Sequence, residues 1–219
     1  MKKTTLKTIA LQGLLILLFF AACKKDTPAP ATTTATTADP FEFIKVGHYW
    51  NYVIYTEVKA SGNTIIDTST ISETLLSDLG AGKYSVIDSI HSHSNNTDTI
   101  ITIPFTWFKD ENMWARLDSS GKKSMVLSSK PLVGEKSFSS FLKTHQQDTL
   151  FSQIISINEI VKLPLGNFSC IKVHSNTRNN NWDFMNYYSP KYGLIKVEST
   201  IVISGVNIKQ RRELKSKNF

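Results

Sequence analysis

From His48 to Lys59 the side chains alternate strictly, with Trp50, Tyr52, Ile54, Thr56 and Val58 on one face and Tyr49, Asn51, Val53, Tyr55 and Glu57 on the other. A period of two belongs to an extended strand, and bulk on both faces predicts a strand covered on both sides near its start. Ser61-Gly62-Asn63 supplies a tight turn, and Thr64 to Leu76 returns as a Thr- and Ile-rich strand. Gly80-Ala81-Gly82 makes the next turn before Tyr84 to Ile90, and Asn95-Asn96-Thr97 the one before Ile100 to Phe108. Strand formers continue through Met113 to Leu117, Lys123 to Ser128, Leu150 to Leu163, Phe168 to Ser175, Phe184 to Tyr188 and Leu194 to Lys209. Turn residues at hairpin spacing predict an all-β, mainly antiparallel domain, a strongly curved sheet or half-barrel.

One segment departs from that period. Phe138, Phe141, Leu142 and His145 recur at i, i+3, i+4 and i+7, which predicts one short helix laid on the sheet. Pro164 with Gly166, and Pro190 with Gly193, read as turns or bulges that open strands, because proline cannot donate to a ladder and glycine tolerates positive φ. Trp50 and Tyr52 read as core anchors.

The first 22 residues lie outside this domain. Lys2, Lys3 and Lys7 precede an apolar run, Leu14 to Phe20, that is too short for the roughly 20 residues of a spanning helix. Small residues and Cys23 follow, as in a cleavable signal. Phe20-Ala21-Ala22-Cys23 resembles the bacterial lipobox, and with Lys24-Lys25-Asp26 it resembles lipoproteins of the Bacteroidota. That resemblance implies removal of residues 1–22 and lipidation of Cys23, with the domain held at the outer membrane, periplasmic or surface-facing. Loss of the three lysines takes the formal charge from +7 to +4, so the whole-chain balance overstates the basicity of the mature protein. Residues 23–39 then form a lipidated tether. Its Thr27 to Ala38 stretch holds only Thr, Ala and Pro, has nothing to bury, and would reach about 37 Å at ~3.1 Å per residue. A single β-domain, residues 40–219, is the economical reading of the rest.

Three segments of that domain carry a further resemblance. Phe41-Glu42-Phe43-Ile44-Lys45-Val46-Gly47-His48-Tyr49-Trp50-Asn51-Tyr52, Leu163-Pro164-Leu165-Gly166-Asn167-Phe168-Ser169-Cys170-Ile171-Lys172-Val173 and Tyr187-Tyr188-Ser189-Pro190-Lys191-Tyr192-Gly193-Leu194-Ile195-Lys196-Val197-Glu198 resemble segments of an uncharacterised Bacteroidota lipoprotein family. At the level of fold the pattern is similar to the half-barrels of lipoprotein carriers such as LolA and LolB, an analogy that carries no activity.

Chemistry is sparse. His91 and His93 leave one strand face with Asp88 or Asp98 nearby, but no third ligand is fixed by spacing, so a solvated hairpin end is expected and no metal or cofactor. His48, His145 and His174 stand singly, and no HExxH, GxSxG, P-loop or CxxC occurs. Carboxylates converging from separate strands would make a hydrolase, the least favoured alternative. With Cys23 acylated, Cys170 is alone and expected to be buried in a strand. Arg211, Arg212, Lys215 and Lys217 read as a frayed, solvated tail. Trp107 reads as core. Trp182, with Tyr187 and Tyr188, is the candidate exposed aromatic platform for a glycan. Asp88-Ser89-Ile90, Asp98-Thr99-Ile100 and Asp148-Thr149-Leu150 resemble the Bacteroidota O-glycosylation triplet. The expected function is non-enzymatic: a membrane-anchored lipoprotein binding an apolar ligand or an envelope partner protein, with a glycan-binding module as the alternative and no nucleic-acid partner.

Overall fold

The computed structural model describes residues 39–219 apart from 61, 95–96, 118–120, 122, 144–145 and 179–180. Cys23, the signal segment, the tether, His145 and the Asn95-Asn96 turn lie outside the described residues, as do the side chains of His93, Phe141 and Leu142. Ala38–Phe219 forms one compact unit.

Twelve strands run in chain order: β1 (Tyr49–Ala60), β2 (Asn63–Gly80), β3 (Lys83–Ser94), β4 (Thr97–Lys109), β5 (Met113–Leu117), β6 (Lys123–Ser128), β7 (Lys136–Lys143), β8 (Gln146–Leu163), β9 (Gly166–Thr177), β10 (Trp182–Ser189), β11 (Gly193–Ile203) and β12 (Val206–Lys217). They make one antiparallel sheet in the order β6-β5-β4-β3-β2-β1-β12-β11-β10-β9-β8-β7. Strands consecutive in the chain are hydrogen-bonded neighbours except β6 and β7, and the sheet is joined at its middle by β1 pairing with β12. The curl is nearly closed, with one unsealed seam between β6 and β7. Met125–Ser128 line one side of that seam and Glu135–Ser137 with Ser152–Ile154 the other. Ser128 Oγ donates to Glu135 Oε2 at 3.0 Å across it, and the Gly134 amide reaches the Ile154 carbonyl at 2.8 Å. Side-chain and loop contacts thus stand in for a ladder where two edges would otherwise face water.

Three sequence expectations are corrected here. The segment read as a helix is strand β7, paired with β8 from Lys136↔Gln153 to Lys143↔Gln146. Ser137, Ser139 and Ser140 add little to a helix, and the apolar spacing is met instead by cross-strand pairing, with Phe138 edge-on to Phe151 at 5.5 Å. The span Leu194 to Lys209 is two strands, because Ser204 and Gly205 take positive φ (50° and 82°) and turn the chain between β11 and β12. The basic C-terminus is no frayed tail: it is β12, hydrogen-bonded on both sides by β1 and β11. Arginine and lysine side chains there extend from a central strand and do not unravel it.

Register assigns the two faces. Trp50, Tyr52, Ile54 and Val58 share a face with Ile65, Ile71, Glu73 and Leu75 of β2, Val86, Asp88 and Ile90 of β3, and Ile101, Ile103, Phe105 and Trp107 of β4. This is the inner face. Its lower end is filled by Phe41, Phe43 and Ile44, all about 1% exposed, which precede β1 and plug the barrel. Phe43 sits edge-on to Trp114 at 5.1 Å and Trp50 at 6.3 Å, and Trp107 meets Trp114 at 4.8 Å. The plug is pinned by Lys109, whose ammonium meets Asp39 at 2.6 Å. Gly193 (φ 77°) opens β11 directly beneath the ring of Phe43, and a Cβ there would stand 3.0 Å from it. From the C-terminal side, Asn218 bonds the Tyr49 amide and the Gly47 carbonyl at 2.9 Å each, and Phe219 stacks on His48 at 4.1 Å. Trp50 and Tyr52 complete this end as core anchors, donating to the carbonyls of Tyr192 at 2.7 Å and Leu194 at 3.2 Å.

Candidate functional site

Moving up the inner face from the plug, burial falls away. Trp50 and Tyr52 are almost wholly buried, while Ile54, Thr56 and Val58 above them are half-buried. On the neighbouring strands the same inner face ends in isoleucines that nothing covers: Ile65 is 63% exposed, Ile101 51% and Ile103 40%. Leaving several isoleucines of one concave wall in water forgoes apolar burial worth roughly 25 cal/mol per Å². The inner face is therefore open above the plugged end, with exposed isoleucines set among Asp67, Ser69 and Ser92.

Polar groups stand at the boundary between the plugged end and the open part. Glu73 and Asp88 are direct cross-strand partners on β2 and β3, and their carboxyls share a hydrogen bond. Burial, then the neighbouring carboxylate, raises Glu73, although Arg212 opposes this; Asp88 is raised by burial too. Two adjacent carboxyls that cannot both ionise hold one proton between them. Arg212 comes from β12, opposite Ile54 on β1, and its guanidinium lies 3.8 Å over the Tyr52 ring, a cation–π contact that fixes its plane. Its Nη2 stands 3.8 Å from Glu73 Oε2, too far for a hydrogen bond. Arg212 Nε and Nη2, Asp88 Oδ1 and Trp114 Nε1 are buried with no hydrogen-bond partner. Burial raises the Tyr52 and Tyr188 hydroxyls well above their usual range, so both stay neutral. Tyr188 closes the group from β10, edge-on to Trp114 at 5.6 Å.

The structure distributes the sequence candidates. Trp182 and Tyr188 share one face of β10 and Tyr187 takes the other. Trp182 is half-buried, 6.0 Å from Phe184. The Tyr187 hydroxyl donates to Glu198 Oε2 at 3.0 Å, and its ring lies between Lys172 and Lys196. Three aromatics that alternate across a strand present no single platform. Asp88 faces inward while His91, three residues on, faces outward and is exposed, so this strand separates them. Among the described residues no group of three or more metal-ligating side chains converges. Trp107 is buried in the core. Cys170 is buried in β9, and burial pushes its thiol up to about 12.

Sequence reasoning missed Glu73 and Arg212. The signal was present: Glu73 shares the alternation of Ile71 and Leu75, and Arg212 that of Leu214. A charge in phase with core residues marks a buried polar position. The pair Glu73 and Asp88 does join carboxyls from separate strands, but directly bonded carboxyls leave no room for a glycosidic bond between them, where hydrolysis needs the two groups about 5–9.5 Å apart.

No protein-family model matches this chain, and no curated protein matches it. Solved structures do. A structure described as an exported protein with a YmcC-like fold, from Bacteroides fragilis, aligns with a TM-score of 0.51 at 10% identity, over 80% of this chain and 97% of that one. A structure described as a lipoprotein from Parabacteroides distasonis aligns with a TM-score of 0.47 at 12% identity, over 80% of this chain and 96% of that one. At such identity the first likeness is one of fold.

Proposed function

We propose that this chain is a lipid-anchored, non-enzymatic protein of the cell envelope that holds an apolar ligand in its barrel. The observation that carries the reading is the uncovered inner wall of Ile65, Ile101 and Ile103 above the plugged floor. Clefts that take small ligands are concave and mostly apolar, with a few convergent polar groups, and the inner face offers both parts. Anchoring rests on the lipobox-like Phe20-Ala21-Ala22-Cys23 and the Thr/Ala/Pro tether. The likeness of three segments to uncharacterised Bacteroidota lipoproteins points the same way, and so does the word "exported" for the Bacteroides fragilis structure. Outer-membrane placement and the analogy to LolA and LolB belong to this proposal.

Native mass spectrometry of residues 39–219, secreted to the periplasm and purified without detergent, tests it. A retained mass released by denaturation is the expected result. A clean unliganded mass, unchanged after incubation with apolar compounds, would overturn ligand holding and turn attention to glycan or protein binding, with Trp182→Ala as the first variant.

A further inference from the structure

The open inner face has a chemically distinct floor, and the two unpartnered nitrogens of Arg212 are specific in kind. Nε and Nη2 lie on the same edge of a guanidinium and point their N–H bonds in parallel, the two-pronged edge that matches both oxygens of a carboxylate. Here that edge is buried without acceptors, while the ring of Tyr52 beneath holds the plane in place. Leaving such donors dry and unpaired in a finished fold is costly.

The local charges agree. Facing the edge are Glu73 and Asp88, which hold one negative charge between them, the neutral hydroxyls of Tyr52 and Tyr188, and Arg116 at the exposed rim, which stacks on Phe105 at 4.0 Å. Two guanidiniums thus face two carboxyls that share a hydrogen bond, with Asp67 further along the same face. The same face carries Ile54, Ile90, Ile101 and Ile103, set beside Ser69 opposite Ile54 and Asp67 opposite Thr56. A buried two-pronged cation on a face that carries these isoleucines suits a molecule with one anionic end and one apolar end.

Resting on the ligand-holding reading above, we infer that the ligand is a long-chain carboxylic acid, with its carboxylate on the Nε/Nη2 edge of Arg212 and its chain along the inner-face isoleucines. Asp88 Oδ1 is the free acceptor beside that position and takes a hydrogen bond from a substituent hydroxyl where the ligand has one. Glu73 tunes the site through Asp88 and does not touch the ligand.

The test is calorimetric titration of the full chain, held in amphipol so that no free detergent competes, with decanoate, decanol and decyl phosphate. Arg212→Met is titrated in parallel, because methionine keeps the stem volume and removes the edge. Decanoate should bind at least tenfold more tightly than decanol, and Arg212→Met should erase that preference while leaving decanol binding unchanged. Equal binding of decanoate and decanol, unchanged in the variant, would overturn carboxylate recognition and leave apolar binding intact. Absence of binding by all three would overturn both readings. A preference for decyl phosphate over decanoate would overturn the carboxylate assignment and point to phosphate-headed lipids. If Arg212→Met does not fold, the decanoate-to-decanol ratio of the unaltered chain decides the matter alone.

Discussion

Replacing Glu73 by glutamine should remove most of the pH dependence of stability on the alkaline side. In the folded protein the Glu73 and Asp88 pair retains one proton up to about 8, because burial and mutual repulsion outweigh Arg212. In the unfolded chain both groups are ordinary carboxylates, ionised above roughly 4.5. Between those limits the native state binds one more proton than the unfolded state, so stability falls as pH rises, by about 1.4 kcal/mol per pH unit. The contribution is fully present below the unfolded pKa and is lost as pH climbs through the folded one. From pH 5 to pH 8 the loss amounts to about 4 kcal/mol at most, comparable with much of a small domain's net stability.

Glutamine has the shape of a protonated glutamate and keeps an N–H donor for Asp88, so the variant should hold its structure and lose the proton linkage. Urea unfolding at pH 5, 6.5 and 8, followed by the emission of the buried Trp50, Trp107 and Trp114, measures the effect. The wild-type midpoint should fall across the series, and the midpoint of Glu73→Gln should stay nearly flat and cross above it. Parallel curves for the two proteins would refute the shared proton. High salt should change little, since screening acts weakly on buried pairs.

Other consequences can be checked with the same unfolding assay. Phe43→Ala removes the centre of the plug and should cost about 3–5 kcal/mol, the range for a fully buried phenylalanine. Gly82→Ala should destabilise by more than the usual glycine replacement, because its φ of 74° is left-handed and an added Cβ would collide with the carbonyl oxygen of Lys109, whose amide donates to the Gly82 carbonyl. Glu135→Ala removes the acceptor for Ser128 Oγ and the Leu132 amide and should cost about 1–2 kcal/mol, with faster amide exchange in Lys123–Ser128 than elsewhere in the sheet.

Most of the strand list could be read directly, because half-buried strands in a single curved sheet write their period plainly and glycine-bearing turns separate them. What failed has a physical cause in each case. Phe138, Phe141 and Leu142 fit a helical stripe as well as they fit a hairpin, since short apolar spacings are degenerate between the two periods. Arg211 and Arg212 looked like a tail because a charged C-terminus usually frays, and local composition carries no trace of β1, some 150 residues earlier, arriving to pair with it. Glu73 and Arg212 were hidden for the related reason that their partnership spans strands far apart in sequence. A charge in phase with Ile71 and Leu75 is legible as buried, but what it faces is set by register alone.

The strand order also explains why the barrel is unsealed where it is. β1 and β12 are central, so the sheet can form only when the two ends of the domain meet, a closure of high contact order. The edges left over are β6 and β7, consecutive strands joined by the stretch from Ser129 to Glu135. Edges elsewhere in a sheet invite pairing with another chain, whereas these two face each other across their own connection. Opening the seam therefore breaks a few side-chain and loop contacts, among them Ser128 with Glu135, and no ladder. The plug end is tied by more: Lys109 to Asp39, Trp50 to the Tyr192 carbonyl and Asn218 to the Gly47 carbonyl. On the ligand-holding proposal, side entry through this seam would leave the central strands paired.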